Sequence, residues 1–243
     1  MAKSPLIWLT RPRDDSTAFA EELAVKHIAS IIAPVMRIVQ QPLAAIPAKP
    51  NAILLTSRHA AFALASLPTA WRSLPVYCVG RSTAQAASEH YCSNIHPGSS
   101  NVLSLLPKIV SDLGAGARVL YLAGEDTSVD VVHLLGAHGV HVTVHLVYRA
   151  LAEHALDTPA QEALRNGTIT AVAFFSPRSA HITADLIAHA NLLDEAKRIE
   201  AFCFSPSVAV AARKLGWKHI HTCHTPTRYA MRELIISTAE KPL

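Results

Sequence analysis

Long apolar runs are missing from this chain. A bilayer-spanning helix needs about 20 apolar residues in succession, and the greasiest stretches, such as Ala171-Val-Ala-Phe-Phe175, stop after a handful. Met1-Ala-Lys-Ser-Pro5 runs straight into strand-like residues, without the n-region and h-region of a signal peptide, so a cytoplasmic protein with no membrane association is expected. Cysteine is scarce. Cys78, Cys92, Cys203 and Cys223 form no C-x-x-C pair, and they are expected to be reduced thiols filling the core rather than a disulfide framework or zinc site. Charge is scarce too, at 16% of residues against roughly 25% in a typical soluble protein. No run of five or six Lys/Arg occurs, so a nucleic-acid partner is not expected. Nine glycines and 15 prolines without a period exclude a collagen-like or low-complexity chain. A 50% apolar content with a net charge of only +4 excludes disorder.

Several catalytic signatures are absent as well. There is no G-x-x-x-x-G-K-[ST] loop, no G-x-S-x-G elbow and no H-E-x-x-H helix. Gly114-Ala-Gly116 precedes a strand-like run instead of following one, so it is no dinucleotide fingerprint. Fourteen histidines invite a metal. His141 and His145 fall on one strand, however, where residues four apart are too distant to share an ion easily. His219, His221 and His224 near Cys223 are closer, but no metal is expected there. No acid–base carboxylate pair stands out, and Glu125-Asp126 reads as the start of a helix.

What is present is alternation. Strands are expected at 6–9, 31–35, 52–56, 76–79, 94–96, 119–123, 141–148, 171–176, 201–204 and 218–222. Helices are expected at 16–26, 57–67, 82–88, 101–113, 127–138, 159–166, 178–190, 207–215 and 228–239. Strands alternating with helices predict an α/β chain with parallel sheets flanked by helices. The 243-residue length allows one or two domains. An internal repeat favours two. Val76–Ala87 lines up with Ala201–Ala212 at an offset of 125, the offset holds at Ile95-His96 and Ile220-His221, and Leu54–Ala60 resembles Phe174–Ala180. The pattern predicts two lobes of similar topology.

Six strand ends carry small hydroxyl residues or glycine and lead into helices: Thr10-Arg11, Thr56-Ser57-Arg58, Gly80-Arg81-Ser82-Thr83, Gly124, Ser176-Pro177-Arg178 and Ser205-Pro206-Ser207. In open parallel sheets, ligands bind outside the carboxyl ends of the strands. Helix N-termini there offer unpaired N–H groups and partial positive charge. Ordinary N-capping asks for the same residues. With Arg11, Arg58, Arg81 and Arg178 beside them, the set as a whole predicts a cleft for a polyanion. Tyr148 ends the run Val142–Tyr148, where it either packs its ring or presents its hydroxyl to a ligand. Such a cleft also suits a small-molecule binding protein without chemistry, or a sugar-nucleotide transferase.

The same residues resemble the uroporphyrinogen-III synthase family over nearly the whole chain. The likeness lies in Leu9-Thr-Arg-Pro12, Ile53-Leu-Leu-Thr-Ser57 with Ala60, Val79-Gly80 with Thr83-Ala84, Gly124 and Val147-Tyr148. It continues in Phe174-Phe-Ser-Pro177, Ser207 with Ala209, Gly216 and Pro226-Thr227. Ser205 stands where the family usually has Gly, and Val208 where it often has Thr. The resemblance implies one lobe from 1–34 and 151–243, an inserted lobe at 41–144, and antiparallel connector strands at 35–40 and 145–150. It implies cyclisation of hydroxymethylbilane, a linear tetrapyrrole with eight carboxylates, to uroporphyrinogen III, with loss of water and inversion of the terminal ring. No metal and no organic cofactor are implied. Tyr148 is implied as the group assisting departure of the substrate hydroxyl. Thr10, Arg11, Thr56, Ser57, Arg58, Gly80, Arg81, Thr83, Gly124, Ser176, Arg178, Ser207 and Thr227 are the expected substrate contacts. A monomer is expected, and hydroxymethylbilane synthase is its candidate upstream partner.

Overall fold

Apolar runs of four or so residues become strands, and the polar-capped stretches between them become helices. The structure is a computed structural model, and it describes residues 5–90, 93–99, 101–126 and 129–239. The order begins β1 (Leu6–Leu9), α1 (Arg13–Ala24), β2 (Ala29–Ile32) and β3 (Met36–Gln40). Next come β4 (Ala52–Leu55), β5 (Val76–Cys78), α2 (Arg81–Ser88), β6 (Ile95–Pro97), α3 (Leu106–Leu113), β7 (Arg118–Gly124), α4 (Val131–Gly136) and β8 (His141–Ala152). The remainder is α5 (Thr158–Arg165), β9 (Ala171–Phe174), α6 (Pro177–His189), α7 (Leu193–Ala196), β10 (Glu200–Cys203), α8 (Pro206–Ala212), β11 (Ile220–Thr222) and α9 (Arg228–Ala239).

The chain divides into two compact units, Met1–Arg37 with Leu151–Leu243, and Ile38–Ala150. The first holds a parallel five-stranded sheet in the order β11-β10-β9-β1-β2. Alternation along β1 sends Trp8 into one core with Phe174, Ile187 and Trp217. Ile7 and Leu9 go into another with Phe19, Phe202 and Met231. Both faces are therefore covered, as parallel sheets require. The buried Trp8 indole donates to the Ala33 carbonyl at 2.8 Å, so its one polar atom is satisfied.

The second unit holds six strands in the order β3-β8-β7-β4-β5-β6. The five from β8 to β6 are parallel. β3 runs antiparallel to β8, since Gln41 N–H donates to Val147 O at 2.6 Å and Glu153 N–H to Val35 O at 2.9 Å. Ile53, Leu55, Leu120 and Leu122 face one core; Leu54, Tyr77, Val119 and Tyr121 face the other.

The two sheets share one layout. The order β6-β5-β4-β7-β8 matches β11-β10-β9-β1-β2, but in the first unit the last two strands come from the start of the chain. The offset repeat maps β5, α2 and β6 onto β10, α8 and β11. It carries a detail with it. Tyr77 and His96 are register partners stacked at 5.0 Å and 22°; Phe202 and His221 are register partners stacked at 4.9 Å and 20°.

Some local expectations change. The helix expected at 57–67 is a 3₁₀ segment, Arg58–Ser66. That at 101–113 breaks into a turn, Val102–Ser104, and α3, because Pro107 sits in the first turn of a helix and not inside one. The strand expected at 31–35 ends at Ile32, since Pro34 has no N–H to give a sheet. The helix expected at 127–138 starts at Val131, where Asp130 caps it by accepting from His133 N–H at 3.0 Å; residues 127 and 128 lie outside the described residues. α7 was not expected. Cys78, Cys203 and Cys223 are buried and form no disulfide with one another, and Cys92 lies outside the described residues. Among the described residues no helix is long and apolar enough to cross a membrane.

Candidate functional site

Sheet order in the second unit reverses between β4 and β7, which leaves a crevice at the carboxyl ends of those strands. A cavity of about 300 Å³ lies there, lined by Thr56, Ser57, Tyr121, Gly124 and Tyr148, with Val79, Asn101, Val102, Asp126, Val129 and Val131 completing the wall. Each lining group has a local cause. Thr56 and Ser57 directly follow β4, and Ser57 caps the 3₁₀ segment by accepting from His59 N–H at 3.2 Å. Ala123 pairs with Leu146 but Gly124 pairs with Tyr148, so a bulge shifts the register at the strand end. Bulges of this kind re-aim side chains beside functional sites.

Here the bulge sets the Tyr148 phenol directly over Gly124. A Cβ on residue 124 would lie 2.6 Å from the Tyr148 hydroxyl oxygen, and nearer still to Cζ. Only glycine leaves the ring its place. The His59 ring packs edge-on against it at 5.8 Å between centroids. Across the cavity wall, the Tyr121 hydroxyl lies 2.9 Å from Thr56 Oγ1. Burial pushes the Tyr121 phenol above its ordinary pKa; the hydrogen bond to Thr56 works against that rise, and the neighbouring Tyr148 adds to it.

Of the residues expected from sequence, Thr56, Ser57, Gly124 and Tyr148 meet on this cavity. Gly80 takes the left-handed φ of +76° that starts α2, with Arg81 exposed and Thr83 buried on that helix. Arg58 is half-buried at the start of the 3₁₀ segment.

The corresponding reversal in the first unit falls between β9 and β1. Thr10 is fully buried there, and its hydroxyl donates to the Ala173 carbonyl at 2.8 Å. Arg11 pairs with Asp15 at 2.9 Å, its guanidinium 4.8 Å from the centre of the Phe175 ring. Ser176 caps α6 by accepting from Ser179 N–H at 3.1 Å, and Arg178 is exposed in the same turn. Ser207 is exposed, 2.9 Å from the hydroxyl of Ser205, which caps α8. Thr227 accepts from Ala230 N–H at 3.1 Å at the start of α9.

Sequence reasoning missed Tyr121, Asn101 and Asp126. Tyr121 is buried inside the run Val119–Ala123, which reads as core, and only its hydroxyl marks it. Among the described residues no three His, Cys, Asp or Glu side chains gather as metal ligands. His221 bonds Glu200 at 2.8 Å instead.

A doubly wound α/β protein, built twice in one chain and carrying a hydroxyl-lined cavity at a switch point, is the class these features define. The family model for uroporphyrinogen-III synthase HemD matches residues 17–233, and the chain belongs to that family. Its structure is similar to uroporphyrinogen-III synthetase from Helicobacter pylori 26695, at 18% identity and a TM-score of 0.65, covering 96% of this chain and 99% of that one. It also matches a mutant uroporphyrinogen III synthase from the extremely thermophilic bacterium Thermus thermophilus, at 19% identity and a TM-score of 0.49, covering 97% and 98%. Comparison with curated protein sequences gives no match.

Proposed function

We propose that this chain cyclises hydroxymethylbilane to uroporphyrinogen III, losing water and inverting the terminal pyrrole ring. The family match across residues 17–233 is the observation that carries this. The chemistry suits the residues. A pyrrole nitrogen of the substrate supplies the electrons that expel the terminal hydroxyl, leaving an azafulvene. The substituted carbon of the last ring then attacks to give a spiro intermediate. What the protein adds is placement of a flexible chain and a proton for the departing hydroxyl. Tyr148 is the group for that proton. It is held over Gly124 at the wall of the cavity, with no carboxylate pair needed beside it.

The cavity lies at the lower end of ligand-pocket volumes, about 300–1,000 Å³, so it takes part of the long substrate. In this account Thr56, Ser57 and Gly124 contact substrate within the cavity. Arg11, Arg58, Gly80, Arg81, Ser176, Arg178, Ser207 and Thr227 contact its carboxylates elsewhere, while the side chains of Thr10 and Thr83 are buried and take no part. The enzyme works as a cytoplasmic monomer that receives its substrate from hydroxymethylbilane synthase. A binding protein without chemistry would leave Tyr148 free to change. Tyr148→Phe therefore tests the reading. It keeps the ring, and kcat should fall by about tenfold or more with little change in KM, the product remaining type III. Retention of more than half the activity would remove Tyr148 from the mechanism.

A further inference from the structure

The Thr56–Tyr121 pair holds a proton that the protein does not use. Each hydroxyl carries one O–H and can accept through its lone pairs. The 2.9 Å bond between them consumes one of the two protons. Among the described residues neither hydroxyl has another partner, and both line the cavity. One O–H is thus left for whatever fills it.

The direction of the bond follows from acidity and burial. A phenol is the better donor and an aliphatic hydroxyl the better acceptor. Tyr121 is only 4% exposed, whereas Thr56 is half-buried on the cavity side. Acidity and burial thus favour Tyr121 as the donor and Thr56 as the acceptor, an arrangement that leaves the Thr56 proton available to the cavity. A hydroxyl that already accepts a bond donates more strongly, because hydrogen bonds in a chain polarise one another. Asp126, the acidic residue of the wall, is exposed.

We propose that Tyr121 is a positioning residue: it orients and polarises the Thr56 hydroxyl, which then donates to a carboxylate oxygen of the substrate in this cavity. The inference rests on the cavity being the reaction site. Burial raises the Tyr121 phenol above its ordinary pKa despite the opposing Thr56 bond, so the phenol keeps its proton at neutral pH. The same contact exists in the bound ground state and in the transition state, so its loss acts on KM more than on kcat.

The test is a double-mutant cycle on KM, with Tyr148→Phe and Tyr77→Phe measured alongside. Tyr121→Phe should raise KM about fivefold, the worth of one neutral hydrogen bond, with kcat nearly unchanged. Thr56→Val should raise KM at least as much. The double variant should be no worse than Thr56→Val, because the phenol acts only through that hydroxyl. Tyr77→Phe removes another buried phenol hydroxyl, one that bonds Asp112 at 2.8 Å away from the cavity, and should leave KM alone. If the two single effects multiply in the double variant, or Tyr121→Phe leaves KM untouched while Thr56→Val and Tyr148→Phe impair the enzyme, the relay is wrong and the site stands. If Thr56→Val and Tyr148→Phe both leave the kinetics untouched, the cavity is not the site and the relay falls with it.

Discussion

Gly124 and Tyr148 fit each other at the level of single atoms, and the fit makes a prediction. Gly124→Ala puts a methyl group where the phenol lies, inside van der Waals contact. Overpacking of this kind costs about 1–3 kcal/mol when neighbours cannot yield. The ring yields instead by leaving its place, so kcat should fall by roughly tenfold, as in Tyr148→Phe, with a smaller change in KM. Steady-state kinetics check this, and wild-type turnover in Gly124→Ala would show that the phenol position does not matter. At this scale the sequence was readable where chemistry narrows the choice. Hydroxyl residues and glycine at strand ends pointed to Thr56, Ser57 and Gly124. Tyr148 gained a role only through family resemblance, because a tyrosine closing an apolar strand is equally at home as packing. Tyr121 was invisible for the same reason. Thr10 shows the converse: it reads as a ligand contact, yet its hydroxyl ties the end of β1 to β9.

Among elements, the strands were the most legible, since continuous apolar runs have no other place than a sheet covered on both faces. The capped helices followed; the helix break at Pro107 and the strand break at Pro34 were misses that trace to a missing N–H, while the 3₁₀ form of Arg58–Ser66 and the short α7 left no such mark. The permuted sheet order was legible only through the family resemblance, which implies a lobe joining 1–34 to 151–243. β1 pairs with β9 across more than half the chain, and no local pattern encodes that pairing. Caps give an element-scale prediction. Ser176 holds the first turn of α6 through the Ser179 N–H. Losing such a cap costs about 1 kcal/mol, so Ser176→Ala should lower the melting temperature by about 2–4 °C. Thermal denaturation measures it, and an unchanged midpoint would mean that the serine serves no cap.

For the molecule as a whole, the buried thiols of Cys203 and Cys223 and the buried phenols of Tyr77 and Tyr121 make stability sensitive to base. Burial, helped by the nearby Cys223, pushes the Cys203 thiol from its ordinary 9.0 up to about 12. Cys223, Tyr77 and Tyr121 rise as well, each chiefly through burial. Between pH 9 and 12 the unfolded chain releases the Cys203 proton while the folded one keeps it. Stability is thus fully present below 9 and falls as pH climbs toward 12. Melting temperatures across that range should drop steadily, and a flat profile would show these groups open to solvent. The net charge of +4 and the strand-end arginines give a second expectation. KM should rise with added salt, because exposed charges are screened beyond about 8–10 Å at physiological ionic strength; a salt-independent KM would leave binding to main-chain groups. The central claim is that the chain turns a linear tetrapyrrole into the ring-inverted isomer. The most direct measurement supplies enzymatically generated hydroxymethylbilane, oxidises the product and separates the porphyrin isomers. Type III as the main product is the predicted result, and type I alone, the isomer that forms without an enzyme, would contradict it.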